Sequence, residues 1–461
     1  MGEPNVIVPI ALFAFVLLTA ACFQLFEPQR AVLYLLLGGW LFLPHFDERF
    51  RALSLSSKAA FVPAVVLLGS IMFDARWRRF RPRLFDLPMA VLCVAPFVSA
   101  LSNDLGAKEA ASAMLDATMS WGAPYFLGRV YLGDGRALKE FATALAVAAL
   151  VYVPFCLWEV RMSPQLHYTV YGFRAENFTT MVRYGGFRPS MFMQSGLAVA
   201  FFMAMGTLSA IWLWRTGARR ELAGLPLNWL CVPLLLFTSI ICKSTGAIIL
   251  LAVGIAVLEG TRLLRTPAMI LALAVLPSAY CAARISGWGA VTVVAVAGDV
   301  VNEERASSLQ FRIENEQLLI QRAKMRPWLG WGRFGRSFVY DEDGQRVTIV
   351  DSMWIIAFGV VGLVGLLAMG AMLAIPPVAL SRALPARFWA EPRIAPAAAL
   401  AVTLLLWALD NLLNAMMTPV FPAIMGALVS FVLALWKARV RGAKTFKPVR
   451  SQLAVERSFR M

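Results

Sequence analysis

The feature that most constrains this sequence is a series of apolar, almost uncharged blocks that are long enough to cross a lipid bilayer. Residues 6–26, 191–214 and 353–375 are examples, and a helix needs about 20 such residues to span the hydrocarbon core. Because lipid offers the backbone no hydrogen-bond partners, each block must satisfy its own polar groups as a helix. With 59% hydrophobic and only 15% charged residues, the sequence predicts an all-α, polytopic membrane protein.

The blocks predict about 12–13 transmembrane helices. The candidates are residues 6–26, 31–45, 59–73, 84–101, 111–127, 141–158, 191–214, 228–242, 244–258, 268–283, 353–375, 395–409 and 419–436. The second and fifth blocks carry the weakest signal. We divide the chain into an N-terminal helix bundle (1–283), a long extracytoplasmic loop (284–352), C-terminal helices (353–436) and a basic cytoplasmic tail (437–461).

The long loop contains its own helical pattern. Apolar residues recur at helical spacing from Leu309 to Ala323, and the pattern ends before Pro327. This predicts an amphipathic helix of the kind that can lie on a membrane surface. Two Trp residues in the turn that follows, residues 328–332, are typical of a membrane interface.

The basic residues indicate how the helices are oriented. They give a net charge of +16 and concentrate in short loops: residues 76–83, 215–220, 262–265 and 382–393. Lys and Arg in such loops are retained on the cytoplasmic side, so the charge is a topology signal and no nucleic-acid partner is predicted. Threading the helices between these loops places residues 159–190, 242–244 and 284–352 outside. A thirteen-helix chain then has an external N-terminus, and a twelve-helix chain an internal one.

The cysteines and histidines predict neither a metal site nor a disulfide framework. All six Cys fall in apolar blocks without a C-x-x-C pair, and the two His, His45 and His167, are far apart in the sequence. Metal sites and disulfide frameworks need closer or paired spacing. We therefore expect any chemistry to be metal-independent and to use no cofactor.

Several cations lie on the predicted outer side, where Lys and Arg should be scarce. They are Arg183 and Arg188 in the 159–190 loop, Lys243 in the 242–244 turn, and Arg312, Arg322 and Arg326 on or beside the loop helix. Cations next to a membrane are costly without a partner, and an anionic ligand accounts for them. In the absence of an ATP motif, the expected ligand is a lipid phosphate or pyrophosphate head group. Lys243 carries the strongest signal, because such a turn normally has Gly, Ser or Asn.

These cations and a nearby acid also have purely structural interpretations. Arg312 and Glu316 are spaced i, i+4 and could pair on one helix face. Arg183 and Arg188 could anchor the next helix at the membrane interface. Asp351 could cap the helix that follows it, or act as a general base at the membrane rim, and the two roles are compatible.

For two further groups of acidic residues, the sequence does not distinguish a functional role from a structural one. Asp410, with Asn411 and Asn414, comes at the outer end of the penultimate helix. It could line a sugar path or simply end the helix. Asp47 and Glu48 form a paired acid similar to the acidic loop of membrane glycosyltransferases that use lipid phosphates, although a lone dipeptide is a weak signal.

The order and spacing of several short patches resemble the O-antigen ligase and O-antigen polymerase superfamily of bacterial envelope polysaccharide assembly. The patches, which span residues 84–380, are Tyr125-Phe126-Leu127-Gly128-Arg129, Glu159 before Arg183-Tyr184-Gly185-Gly186-Phe187-Arg188-Pro189, Lys243-Ser244-Thr245-Gly246-Ala247, Ser308-Leu309-Gln310-Phe311-Arg312, Pro327-Trp328-Leu329-Gly330-Trp331-Gly332, and Val350-Asp351-Ser352-Met353-Trp354 with Gly359 and Gly362 downstream. The chain departs from the ligases at two positions. It has Lys243 where they usually have Arg, and Asp351 where they carry a catalytic His, so the similarity is to the superfamily rather than to the ligases alone.

The resemblance implies transfer of a glycan from an undecaprenyl-pyrophosphate carrier to a hydroxyl of a glycan or lipid acceptor. It implies catalytic roles for Lys243, Arg312 and Asp351, with the two cations on the pyrophosphate and Asp351 on the acceptor. Substrate binding is expected from Arg188, Arg183, Arg322 and Arg326. It also implies a multi-pass protein of the bacterial inner membrane, in contact with membrane lipids, with a site that faces the periplasm.

A lipid-linked glycan flippase or polysaccharide transporter is the alternative from another functional class. Such a protein is expected to carry charged residues in the middle of the membrane. In this sequence few charges fall inside the apolar blocks, and the unusual cations lie in the connecting segments, where we place them at the membrane rim.

Overall fold

A computed structural model of the chain describes residues 2–46, 57–287 and 303–440. The structure is 74% helical, and eight of its helices are long and apolar enough to cross a membrane. The expected fold class is thereby confirmed: the chain is an all-α, multi-pass membrane protein. The acidic pair Asp47 and Glu48 lies outside the described residues.

The described ranges contain seventeen α-helices and two very short β-hairpins. The helices are α1 (Ile7–Leu25), α2 (Pro28–Phe42), α3 (Lys58–Phe73), α4 (Leu87–Ser102), α5 (Gly106–Ala117), α6 (Ala123–Tyr131), α7 (Gly135–Met162), α8 (Leu166–Tyr171), α9 (Phe178–Met181), α10 (Gly196–Arg215), α11 (Val232–Ile241), α12 (Thr245–Leu264), α13 (Ala268–Ile285), α14 (Glu303–Lys324), α15 (Met353–Ala383), α16 (Ala395–Asp410) and α17 (Val420–Val440). The antiparallel hairpins are β1 (Val182–Arg183) with β2 (Gly186–Phe187), and β3 (Glu221–Leu222) with β4 (Leu225–Pro226).

The eight long apolar helices are α1, α4 with the turn before it, α7, α10, α12, α13, α15 and α17. Three apolar helices are shorter: α3, α16, and α11 with the π-turn that precedes it. The weak second block is helix α2, and the weak fifth block lies in α5 and α6, which a π-turn at Thr118–Gly122 joins. Helices therefore occupy all the predicted blocks, but only eight helices of the described ranges are long and apolar enough to cross a membrane, and α2, α5 and α6 are not among the apolar helices.

The first and last described residues lie at opposite ends of the bundle. The backbone N–H of Asn5 donates to the carbonyl of Tyr171 at 3.0 Å, so the chain begins beside the α7–α10 loop. Lys243, between α11 and α12, lies at this same end, which we call the Lys243 end. Helix α17 starts at the Lys243 end and finishes at the opposite one.

Helix α16 forms the centre of the bundle. All of its residues except Leu409 are buried, and it packs against α7, α10, α12 and α15. The Trp407 ring stacks on Phe421 of α17 with a centroid distance of 4.5 Å. The end of α16, with Asp410, is consequently held in the middle of the Lys243 end.

The predicted loop helix is confirmed as α14, and it packs on the protein. Ile313, Ile320 and Ala323 are buried against α15. Glu316 is also buried, in an ion pair of 2.5 Å with Arg284 of α13. Burial raises the pKa of the Glu316 carboxyl, and this cost is offset by the guanidinium and by the Tyr280 hydroxyl, which donates to it.

A break in α15 determines how α14 is seated. Gly362 has a positive φ of 67° inside the helix, and an added Cβ there would collide with the backbone of Trp328. The freed backbone groups pair with the turn that follows α14: Trp331 N–H donates to Gly359, and Leu363 N–H donates to Pro327, at 2.9 and 2.8 Å. Because only glycine adopts this conformation without strain, the break fixes α14 over the start of α15.

Candidate functional site

Residues from three separate segments meet at the Lys243 end. They come from the α7–α10 loop, the α11–α12 turn and the α14–α15 region. The Nη2 of Arg188 donates to the carbonyl oxygen of Lys243 at 3.0 Å. The positive charge of Arg312 in turn acts on the guanidinium of Arg188. The structure therefore brings Arg188 and Lys243 into direct contact, whereas Arg312 is linked to them through its charge on Arg188.

Lys243 occupies the turn between α11 and α12 in the left-handed conformation, with a φ of 53°. Such a backbone favours Gly or Asn, and a long side chain there is strained. The Nζ atom lies against the backbone of Gly186, where an added Cβ would overlap it. In the part of the chain that the structure describes, this ammonium makes no ion pair.

Arg188 is a buried cation with an incomplete set of partners. Its residue exposure is 8%, its side chain packs over Gly196 at the start of α10, and its Nε has no hydrogen-bond partner. Burial lowers the pKa of the Arg188 guanidinium, the charge of Arg183 lowers it further, and the nearby carboxylate of Glu176 opposes part of this shift. A buried cation without an ion pair is expensive, and an anionic ligand would offset the cost of its burial.

Glu159, the last acid of α7, holds the loop that carries Arg183 and Arg188. It is fully buried, and its carboxylate accepts three backbone hydrogen bonds, from Leu166 at 2.9 Å and from Ser190 and Met191 at 2.8 Å. One side chain thus joins the beginning and the end of this loop. Arg183 itself is exposed in the β1–β2 hairpin, so its position follows from that of the loop.

Arg312 and Asp351 form a pair between α14 and the start of α15. The Nε of Arg312 lies 3.6 Å from Oδ2 of Asp351, and both side chains remain partly exposed. The Nη1 of Arg312 also donates to the carbonyl of Leu413 at 3.2 Å. A small pocket opens beside this pair; its lining includes Asn315 and Ile349, but neither Lys243 nor Arg188.

The purely structural roles considered for Arg312, Asp351 and Arg188 are wrong. Glu316 pairs with Arg284 rather than with Arg312. The N-cap of α15 is Ser352, without a side-chain cap bond, so Asp351 does not cap the helix. Arg188 is likewise buried rather than exposed as an anchor at the membrane interface.

Asp410 is a second carboxylate near Arg312. It is 8% exposed, its Oδ1 accepts from Asn414 Nδ2 at 2.9 Å, and its Oδ2 has no partner. The carbonyl of Asn411 accepts from the backbone N–H of Met353 at 3.0 Å, which attaches the start of α15 to the end of α16. The sequence alone left two roles open for Asp410, lining a sugar path or ending the helix, because the burial of Asp410 depends on tertiary packing.

Arg322 and Arg326 are not part of the Lys243 cluster. Their guanidinium carbons lie 3.7 and 5.0 Å from the centre of the Trp331 ring, and Arg326 also donates to Ser102. Arg322 follows Arg312 by ten residues, which is about 15 Å along a helix. Burial lowers the pKa of Arg322, and the charges of Arg336 and Arg326 lower it further. Their expected role in substrate binding stays a prediction, and the structure places both guanidinium groups against Trp331 rather than in contact with Lys243.

Sequence reasoning missed a buried group beside the site. Lys58, at the start of α3, is 3% exposed and donates to the carbonyls of Leu43 and Phe192 at 2.8 and 2.6 Å. His167 Nε2 accepts from the backbone N–H of His45 at 3.0 Å. These bonds join three segments that are far apart in the sequence, so no local sequence pattern predicts them.

The described residues contain no group of three or more His, Cys, Asp or Glu side chains that could hold a metal ion. The side chains at the Lys243 end instead suit the binding of an anion and the activation of a hydroxyl. No family model matches the chain, and no curated protein is significantly similar to it. The chemistry of the site must therefore be argued from its geometry.

Proposed function

We propose that this protein is a membrane glycosyltransferase that moves a glycan from an undecaprenyl-pyrophosphate carrier to an acceptor hydroxyl. In this proposal the Lys243 end faces the periplasm of a bacterial inner membrane. The acceptor is another glycan or a lipid, as for a polysaccharide polymerase or an O-antigen ligase. The resemblance of the sequence patches to that superfamily agrees with this reaction.

The observation that carries the proposal is the convergence of Arg188, Lys243 and Arg312. These residues are far apart in sequence, yet they lie at the same end of the bundle, where Arg188 contacts Lys243 and the charge of Arg312 acts on Arg188. Asp351 pairs with Arg312, while Arg188 bonds only a backbone carbonyl and Lys243 has no ion pair among the described residues. A diphosphate supplies the negative charge that this cluster lacks, and charge-assisted hydrogen bonds to phosphate are strong.

The cluster suits a displacement at the anomeric carbon of the donor sugar. The acceptor oxygen forms a bond to this carbon, and the bond from the carbon to the diphosphate oxygen breaks. The diphosphate leaves with the electron pair, and Lys243, Arg188 and Arg312 stabilise its growing charge. The proton of the acceptor hydroxyl passes to Asp351, which lies beside a partly open pocket. Diphosphate is a good leaving group, so no general acid is needed.

The placement of buried charge disfavours the flippase alternative. In the membrane-crossing helices that the structure describes, the buried charged residues are Lys58, Asp86, Glu159, Arg284 and Asp410. Each lies at a helix end or within three residues of one. A carrier that moves a charged head group through the bilayer needs such residues near the middle of the membrane.

Reconstitution in proteoliposomes with a fluorescent undecaprenyl-diphosphate-linked oligosaccharide tests the proposal. One sample contains only this donor, and a second contains a lipid acceptor. We expect cleavage of the sugar–phosphate bond, with a longer glycan in the first sample or a labelled acceptor in the second. The Lys243→Gln and Arg312→Gln variants should give neither product. Movement of the intact donor across the bilayer without cleavage would overturn the proposal in favour of a flippase.

A further inference from the structure

A basic cavity lies at the end of the bundle opposite to Lys243. It has a volume of about 420 Å³ and lies between the segment before α4, the end of α6 and the end of α17. Its charged lining residues are Arg76, Arg79, Arg81, Arg83, Arg129 and Lys437. The charge rule accounts for an excess of Lys and Arg on this face, but it does not require them to surround one cavity.

The floor of the cavity is rigid and already neutralised. Arg129 makes two hydrogen bonds to the Asp86 carboxylate, at 2.7 and 3.0 Å, and a third to the Ser430 hydroxyl at 2.6 Å. Tyr125 donates to the same carboxylate at 2.6 Å. The Phe80 ring covers the guanidinium at 5.3 Å. Arg129 is therefore a structural member of the cavity, and its charge is satisfied within the protein.

The rim of the cavity is not neutralised. Arg79, Arg81, Arg83 and Lys437 are exposed, and none of them makes an ion pair in the described ranges. Arg76 differs from these four residues because it is paired: its Nε lies 3.8 Å from a carboxylate oxygen of Asp74. Four unpaired cations around one concavity create a positive field that favours a phosphate group.

An apolar groove continues from this rim. It has a volume of about 510 Å³ and is lined by Pro82, Leu84, Leu87 and Ala90 together with Arg83 and Asp86. Arg83 lines both the cavity and the groove. Leu84 is 87% exposed and Leu87 is 58% exposed, so the groove faces the lipid. Its apolar wall adjoins a site for a phosphate, which is the arrangement a phospholipid requires.

We propose that this cavity binds an anionic phospholipid. Its phosphate is held by Arg79, Arg81, Arg83 and Lys437, and one acyl chain lies in the groove along α4. Basic pockets between transmembrane helices are suited to anionic head groups. The site is independent of the glycosyltransferase proposal, because it lies at the other end of the bundle and shares no residue with it.

Native mass spectrometry of the purified protein in detergent tests this inference with dioleoyl phosphatidylglycerol as the probe. The pocket variant combines Arg79→Gln, Arg81→Gln and Arg83→Gln. The matched control combines Arg382→Gln, Arg387→Gln and Arg393→Gln, which removes the same charge from exposed residues in the last turn of α15 and in the loop that follows it, on the same face. We expect the pocket variant to bind the lipid at least about tenfold more weakly, and the control to bind it as the wild type does.

Two comparisons decide the nature of the ligand. Glycerol phosphate, which lacks acyl chains, and zwitterionic dioleoyl phosphatidylcholine should each bind much more weakly than phosphatidylglycerol. Equal losses in the pocket and control variants would show diffuse surface attraction and overturn the proposal. Equal binding of glycerol phosphate would overturn the role of the groove. The melting temperature of each variant without lipid shows whether it has folded.

Discussion

The guanidinium of Arg188 donates a 3.0 Å hydrogen bond to the backbone carbonyl of Lys243. This bond joins the loop after α7 to the turn between α11 and α12, and it does so without a carboxylate. Both positive charges are consequently left for another partner. The predictions below separate this electrostatic role from a purely structural one.

Replacement of Lys243 by Gly should remove activity without harming the fold. The left-handed backbone at Lys243 costs a non-glycine residue about 1 kcal/mol, so Lys243→Gly should keep or raise the melting temperature. Glycan transfer should fall at least about a hundredfold, because a cation that stabilises the leaving group is lost. Arg265 is the matched control: it has the same conformation, with a φ of 54°, and lies at the opposite end. Arg265→Gly should raise stability similarly and leave transfer intact, whereas loss of transfer in both variants contradicts the role of the ammonium.

A methyl group at Gly186 should displace the Lys243 ammonium. A Cβ there would overlap Nζ, which is the flexible end of a side chain and can move cheaply. We expect Gly186→Ala to melt within about 1 °C of the wild type but to bind the lipid diphosphate about tenfold more weakly. Gly246, with open space where its Cβ would lie, provides the control, and Gly246→Ala should bind normally. Unchanged affinity in Gly186→Ala would show that the position of Nζ is unimportant.

Asp351 should act on the acceptor rather than on the donor. Asp351→Asn should lower the turnover about a hundredfold, since it removes the group that takes the proton, while donor binding should change little. Exposed Asp343 serves as the control, and Asp343→Asn should behave as the wild type. The measurement is transfer rate against donor affinity in the same preparation. If Asp351→Asn keeps full turnover and Asp410→Asn loses it, the base is Asp410.

Acid should destabilise the loops at the Lys243 end through His167. Its Nδ1 donates to the carbonyl of Phe173 at 2.8 Å, and its Nε2 accepts from His45, so the buried ring is neutral. Burial lowers its pKa from 6.5 to about 4. The unfolded chain therefore takes up the proton more readily, and this stability is complete above pH 6.5 and is lost as the pH falls towards 4. Between pH 7 and 5 the loss is about 2 kcal/mol.

The melting temperature at these two pH values measures the effect. The wild type should melt lower at pH 5, and His167→Gln, which keeps an acceptor for the His45 N–H, should show a smaller difference between the two values. An identical pH difference in both proteins would assign the effect to another group.

The apolar blocks and basic loops predicted the membrane helices well, because length and hydropathy are local properties. The helix that carries Arg312 was predicted for the same reason, and so was the position of Lys243 in a short turn between two apolar helices. Three relationships were not visible. Glu159 binds backbone groups up to 32 residues away, Glu316 pairs with Arg284 rather than with its i, i+4 neighbour, and Asp410 acquires its burial from surrounding helices.

The assignment of Arg322 and Arg326 shows why residue type alone is insufficient. Their charge and predicted side matched those of Arg312, but the length of α14 separates them and Trp331 holds them elsewhere. A linear pattern can place a cation on a face of the membrane. It cannot tell which cations on that face share a ligand.

The affinity of the purified protein for a short-chain polyprenyl diphosphate and for the matching monophosphate tests the central claim most directly. The Arg79→Gln, Arg81→Gln, Arg83→Gln background removes the cavity at the opposite end from the measurement. We predict that the diphosphate binds at least about tenfold more tightly than the monophosphate. This preference should disappear when Lys243→Gln or Arg312→Gln is added and persist when Arg382→Gln is added. Equal affinity for the two lipids, or a preference that survives Lys243→Gln and Arg312→Gln, would contradict the account.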